Sequence, residues 1–155
     1  MNNMAQPSQT NGRKRVGAQG SLRRLFFGST EPAAIREKVT AERLRARSVT
    51  GASQDILHLT VEELATVLAV SVRTLNRRNA EDGVLDVGEG DRAYRLARIA
   101  DLATQSIGNR DRAARWLHLR NPALGGETPL EMLRTEVGTH AVERSLYAIA
   151  YGGVA

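Results

Sequence analysis

The sequence predicts an all-α protein, and three observations carry that prediction. Helix-start signals recur along it: Thr60 with Glu63, Ser71, Asp86 with Glu89, and Thr128-Pro129 with Glu131. Apolar residues between these signals repeat at helical spacing, and no segment reads convincingly as a strand. Aromatic residues supply only 4% of a chain that is 41% hydrophobic, so its core must be mostly Leu, Ala, Val and Ile. That composition suits packed helices better than a sandwich or barrel. A length of 155 residues fits one domain or two small subdomains.

The elements follow in order. Residues 1–30 read as a basic N-terminal arm rich in Asn, Gln, Ser and Gly, and the composition of its first 20 or so residues predicts disorder. Leu22, Leu25, Phe26 and Phe27 are too apolar for a linker and call for a docking surface, on the body or on a partner. A helix is expected from Pro32 to about Arg47, carrying Ile35, Val39 and Leu44 and broken at Gly51-Ala52-Ser53. Thr60 and Glu63 form a capping box that opens the next helix, with a short turn at Ala69-Val70. Ser71 caps a helix through Arg78, and Asp82-Gly83 ends the unit. Asp86 and Glu89 begin the longest helix, with a first turn weakened by Gly88 and Gly90. Its body, Asp91 to Ile107, places Ala93, Leu96, Ala100, Ala103 and Ile107 on one face and Arg92, Arg95 and Asp101 among its polar residues; Gly108 stops it. A helix from Asn109 or Arg110 to about Leu119 ends at Asn121-Pro122. A short one runs from Thr128 to about Thr135, and a last one from about Thr139 to Tyr151 puts Val142, Leu146 and Ile149 together. The domain organisation read from this pattern is an arm (1–30), a helix-turn-helix part (31–85) and a second helical part (86–155).

Charge separates the first third of the chain from the rest. Residues 1–50 hold 10 Lys/Arg against 3 Asp/Glu, whereas residues 51–155 hold 12 against 14, so the whole excess of +5 comes from the first third. A basic arm beside a near-neutral body suits a polyanion such as DNA, or serves solubility alone. There is no cysteine, so neither a disulfide nor a thiolate metal site is available. No apolar run approaches the roughly 20 residues a membrane span needs, and Met1 to Pro7 lack the form of a signal peptide. The expectation is a cytoplasmic protein without a membrane partner.

Catalytic chemistry finds little to work with. His58, His118 and His140 are scattered without metal-ligand spacing, no serine sits in a nucleophile elbow, and Gly88-Glu89-Gly90 is only a fragment of a nucleotide-binding pattern. Glu62-Glu63 and Glu81-Asp82 read as ordinary surface or turn carboxylates. No enzyme, cofactor or metal is expected.

Residues 60–78 instead have helix-turn-helix proportions. In such a unit the second helix enters the major groove. Its candidates here are Ser71, Arg73, Thr74, Asn76, Arg77 and Arg78, with Val72 and Leu75 turned inward. Arginine pairs bidentately with guanine and asparagine with adenine, while hydroxyls bond phosphates or bases. A plain helical hairpin with a basic face is the other reading of the same residues.

The last third has the look of a docking module. Trp116, the only tryptophan, is either a core residue or an interface anchor. Arg110, Arg112, Arg115 and Arg120 offer positive charge to an acidic partner, or form a solvated helix face. Asn121, Pro122, Leu124, Gly125 and Gly126 make a tightly punctuated loop, and Tyr147 lies on the last helix. The tail Tyr151, Gly152, Gly153, Val154 and Ala155 is small and extendable, fit to enter a narrow cleft or simply to fray.

Read together, residues 71–155 resemble the Xre/MbcA/ParS family, the antitoxins of RES–Xre toxin–antitoxin modules. The matching stretches are Ser71 to Arg78, Tyr94-Arg95-Leu96-Ala97-Arg98-Ile99, Ala113-Ala114-Arg115-Trp116-Leu117 and Asn121 to Gly126, followed by Thr128-Pro129-Leu130, Thr135 to Gly138 and Tyr151-Gly152-Gly153. Departures from the family pattern are Gly88 and Gly90, Ile107-Gly108 and the long N-terminal extension. The resemblance implies an Xre-like DNA-binding part followed by a toxin-binding part. It further implies repression of a shared promoter through operator DNA, oligomers with the toxin, and a C-terminal region that blocks the active site of an NAD-depleting RES-domain toxin. At least a homodimer, or a higher hetero-oligomer with toxin, is expected to match a palindromic operator. Two other functions fit the residues: a stand-alone regulator whose C-terminal part only dimerises, and an interaction module that uses the helix-turn-helix as a scaffold.

Overall fold

The computed structural model of the protein describes residues 20–152. Within them the chain forms α1 (Leu22–Phe27), α2 (Pro32–Thr40), α3 (Ala46–Leu57), α4 (Val61–Leu68), α5 (Val72–Ala80), α6 (Val87–Ile107), α7 (Arg110–Leu117), α8 (Pro129–Met132) and α9 (Glu136–Ala150). A 3-10 turn at Pro122–Leu124 joins α7 to α8. The fold is all-α: among the described residues the β pairing is a single isolated bridge between Arg45 and Val84.

The start signals work as local chemistry demands. Thr60, Asp86 and Thr128 each accept a hydrogen bond from the backbone N–H three residues on, and Glu63, Glu89 and Glu131 each accept one from the cap residue's own N–H. Each box satisfies two donors that a helix N-terminus leaves without partners. Gly108 closes α6 with φ at 78°, a left-handed conformation that costs glycine little.

α6 is the strut on which α1, α2, α4, α7 and α9 all pack. Its buried residues include Ala93, Leu96, Ala97, Ile99, Ala100 and Ala103, and they lie around much of its circumference. Small side chains let several helices approach at once. Gly90 carries this furthest: a Cβ there would sit 3.0 Å from Cγ1 of Val39 on α2. The expected weak first turn is thus a packing surface, and α6 begins at Val87 rather than being delayed to Asp91. One cluster of buried residues runs from Leu22 to Leu146.

Several expectations are corrected. The helix from Pro32 does not reach Arg47; it ends at Thr40, and Glu42 takes φ 50°. The break lets Leu44 enter the core. It also lets the Ala46 N–H donate to the Gly83 carbonyl at 3.0 Å and the Leu85 N–H to the Leu44 carbonyl at 2.8 Å. Gly51 breaks nothing: it lies inside α3, whose neighbours Val49, Thr50 and Ser53 are buried. Tertiary packing outweighs the helix penalty of one glycine, about 1 kcal/mol.

Residues 22–27, placed by their sequence in the arm, form α1. The side chain of Asp101 anchors it, accepting from the Leu22 N–H at 2.7 Å, the Ser21 hydroxyl at 2.7 Å and the Arg23 Nε at 2.9 Å. Leu22, Phe26 and Phe27 are buried, and Phe27 meets Tyr94 edge to face at 6.1 Å. At the other end α8 stops at Met132 and α9 starts at Glu136, because the Thr135 hydroxyl caps the Gly138 N–H at 3.0 Å. Gly138 is needed there: a Cβ would come within 2.1 Å of the Met132 carbonyl oxygen.

Candidate DNA-reading and partner-binding faces

The first face is built on the α4–turn–α5 unit. Ala69 adopts the left-handed region with φ 56°, and the Val70 N–H returns to the Ala65 carbonyl at 3.0 Å, so the chain reverses in two residues. Ser71 then caps α5: its Oγ accepts from the Thr74 N–H at 3.0 Å and donates to the Thr74 hydroxyl at 2.8 Å. Leu75 is fully buried, and Val72 packs against the core. The Thr50 hydroxyl reaches Asn79 Oδ1 at 3.1 Å and ties α5 to α3.

The sequence-predicted DNA residues separate into two groups. Arg78 turns inward and pairs with the carboxylate of Glu89, whose side chain is only 6% exposed. Arg73, Asn76 and Arg77 are exposed. Among the described residues their side chains make no hydrogen bond or ion pair.

The second face lies at the other end of α6. A broad, mostly apolar groove of about 750 Å³ is lined by Ile107, Trp116, Leu119 and Ile149 together with His58, His118, Arg112 and Arg115. Trp116 is half-buried against the core and also lines this groove. Arg112 and Arg115 are exposed. Asn121 organises the loop: its side chain accepts from the Ala123 N–H at 2.9 Å, and its carbonyl accepts from the Gly126 N–H at 3.0 Å. Pro122 opens the 3-10 turn, Leu124 is buried, and Gly125 and Gly126 take φ 69° and 84°, which favour glycine. Tyr147 and Tyr151 stack with centroids 6.5 Å apart and are 49% and 85% exposed. Gly152 is exposed too, while Gly153, Val154 and Ala155 lie outside the described residues.

Sequence reasoning missed the residues that join these parts. His118 on the α7 side sets Nε2 2.9 Å from the Leu57 carbonyl and Nδ1 3.3 Å from a Glu63 carboxylate oxygen, linking α7 to α3 and α4. Arg95 donates to the Leu133 carbonyl at 3.1 Å and pairs with Glu136 at 2.9 Å, and Arg98 pairs with Glu143, so α9 is strapped to α6. Only the apolar residues Leu22, Phe26 and Phe27 hinted that something would receive α1. The described residues contain no cluster able to hold a metal ion, and no described helix is long and apolar enough to cross a membrane.

The fold defines an all-helical helix-turn-helix protein that carries a further helical part. Residues 36–98 match the antitoxin Xre-like helix-turn-helix domain, and residues 102–152 match the antitoxin Xre/MbcA/ParS C-terminal toxin-binding domain. Antitoxin Xre of Pseudomonas putida is 40% identical over 83 residues, 54% of this chain and 52% of the relative. Antitoxin Xre of Photorhabdus laumondii is 30% identical over 91 residues, 58% of this chain and 62% of the relative. The matches therefore span about half to three-fifths of the length of these curated relatives. A chain of the M. tuberculosis MbcT–MbcA toxin–antitoxin complex superposes with a TM-score of 0.54 at 26% identity, covering 70% of this chain and 96% of that one. This chain belongs to the Xre/MbcA/ParS family of antitoxins. α1 lies outside both domain matches.

Proposed function

We propose that this protein is the antitoxin of a two-gene module, neutralising a RES-domain, NAD-depleting toxin by steric block and binding operator DNA to repress the module. One observation carries this reading. Two faces of different chemistry stand at opposite ends of α6, a helix of 21 residues and so about 30 Å long. Arg78 and Glu89 hold α5 at the N-terminal end, while Ile107 and Ile149 meet in the groove at the C-terminal end. The separation lets DNA and toxin bind one molecule together.

DNA contacts come from the 31–85 part, and toxin contacts from the 86–155 part, with α6 as the shared strut. Arg112, Arg115, Trp116, Tyr147 and Tyr151 form the docking face, and the loop of Asn121, Pro122, Leu124, Gly125 and Gly126 shapes its edge. Gly152, Gly153, Val154 and Ala155 continue from it as the segment that fills the toxin's cleft. The family's C-terminal domain is described as toxin-binding, and the similar solved chain comes from a toxin–antitoxin complex, which supports this assignment. Such inhibition needs no cofactor and no catalytic group. The working form is at least a homodimer, or a larger assembly with toxin, in the cytoplasm.

The test is growth of cells expressing the neighbouring reading frame with and without this protein. Arrest by the neighbour alone and rescue on co-expression are expected. A harmless neighbour would remove the antitoxin reading and leave a helix-turn-helix regulator.

A further inference from the structure

Six residues around α5 have the chemistry to touch DNA, and the fold has already committed three of them. The Ser71 and Thr74 hydroxyls bond each other at 2.8 Å and set the first turn. Arg78 pairs with Glu89, and the same carboxylate accepts the Asp86 N–H at 2.8 Å as the cap of α6. Turning Arg78 outward would leave a nearly buried carboxylate without its cation. Arg73, Asn76 and Arg77 remain, at positions i, i+3 and i+4 of one exposed helical face. Their polar ends have no intramolecular partner among the described residues, and no acidic residue lies within α5 to neutralise them.

We propose that Arg73, Asn76 and Arg77 are the complete base-reading set of α5, and that they select a short purine cluster of two guanines and one adenine. The proposal rests on the DNA-binding reading above and adds which residues discriminate and what they discriminate. A guanidinium matches the paired N7 and O6 acceptors of guanine, and a carboxamide matches the N7 acceptor and N6 donor of adenine. Arg73 and Arg77 stand about 6 Å apart along the helix axis, at 1.5 Å per residue. That span is close to two base-pair steps of about 3.4 Å, so the three purines fall within about four base pairs. Arg78 contributes to folding and nothing to base choice.

The experiment selects duplexes from a random-sequence DNA library with the full-length protein, then measures affinity for the enriched duplex by fluorescence anisotropy at fixed salt. The expected motif contains the two guanines and the adenine, and 7-deazaguanine at either guanine weakens binding about tenfold. Arg77→Ala makes binding indifferent to one of those substitutions. Arg77→Lys keeps the salt dependence but loses the discrimination, since an ammonium is a point charge rather than a fork. Arg78→Lys retains the pair with Glu89 and returns the same motif, with folding checked by circular dichroism. A wild-type motif unmoved by changes at Arg73, Asn76 and Arg77, or altered by Arg78→Lys, overturns the inference while leaving DNA binding intact. Failure of the wild-type protein to retain any duplex overturns the DNA-binding reading and this inference with it.

Discussion

The two ends of α6 differ in the side chains they leave open to solvent. On α5 Leu75 is fully buried and Val72 partly so, and Arg73, Asn76 and Arg77 face solvent without partners among the described residues. At the far end Asn121 is used within its loop, and large apolar side chains stay open beside the exposed Arg112 and Arg115. Leu119 is 60% exposed, Tyr147 and Tyr151 are stacked in solvent, and Ile107, Trp116 and Ile149 line a groove. DNA interfaces are polar, positively charged and wet, whereas the cores of protein interfaces favour aromatic residues and exclude charge. The two ends of α6 differ along the same lines, one offering arginine and asparagine and the other a largely apolar groove.

The largest effect is expected from breaking what holds α1 along this strut. Asp101→Ala leaves the donors of Ser21, Leu22 and Arg23 without their acceptor. With the carboxylate nearly buried and Arg23 only partly exposed, the loss should be about 3 kcal/mol of folding stability, measured by urea unfolding. Proteolysis should also begin between residues 20 and 30 in the variant. Unchanged stability and unchanged cleavage would mean that α1 is not fastened by Asp101.

Next in size is the apolar end. The double change Tyr147→Ala and Tyr151→Ala removes two exposed rings and no buried contact of the core, so folding should persist. Affinity for the toxin should fall by about 2 kcal/mol, some thirtyfold, while DNA affinity is untouched. Titration calorimetry with toxin and anisotropy with operator DNA separate the two. Equal losses on both sides would collapse the comparison between the ends. Removal of residues 151–155 sharpens it further: rescue of growth should fail although the circular dichroism spectrum is retained.

What the sequence could show was local. The capping boxes at Thr60, Asp86 and Thr128 and the stop at Gly108 were legible because each is decided within four residues. The α5 face was legible for the same reason: Leu75 and Val72 are spaced to point inward, which leaves Arg73, Asn76 and Arg77 outward. The long-range partners were not legible. Nothing near Asp101 in sequence says that a helix 79 residues earlier will bring three donors to it. Arg78 looks like any exposed cation until Glu89 folds back beside it, and Gly51 looks like a breaker until α3 packs across it. Helical periodicity locates a buried face without naming the partner that covers it.

A smaller effect tests the turn between the two ends. Thr60→Ala deletes the hydroxyl that accepts the Glu63 N–H at 3.1 Å, and Glu63 also meets His118 of the second part. Loss of the cap should cost about 1 kcal/mol. If the cost is instead felt in toxin affinity, α4 and α7 are coupled through His118, and the separation of the ends is incomplete.

The smallest effect concerns pH. The Glu131 carboxyl is held below its ordinary value of 4.5, first by the Thr128 backbone N–H it accepts at 2.8 Å, then by the Thr128 hydroxyl and the charges of Arg120 and Arg134. A carboxyl depressed in the folded state contributes stability that is present above its unfolded pKa and disappears as pH falls through the folded one. The contribution is therefore intact at neutral pH and drains away below about 4.5. Because the group is fully exposed and screened, the effect is confined to the first turn of α8. Glu131→Gln keeps an acceptor for the Thr128 N–H but removes the charge. Comparing urea midpoints of the two proteins from pH 7 down to pH 3 should show the gap between them closing in acid. A gap that is constant with pH would mean that geometry alone, and not the carboxylate charge, holds the start of α8.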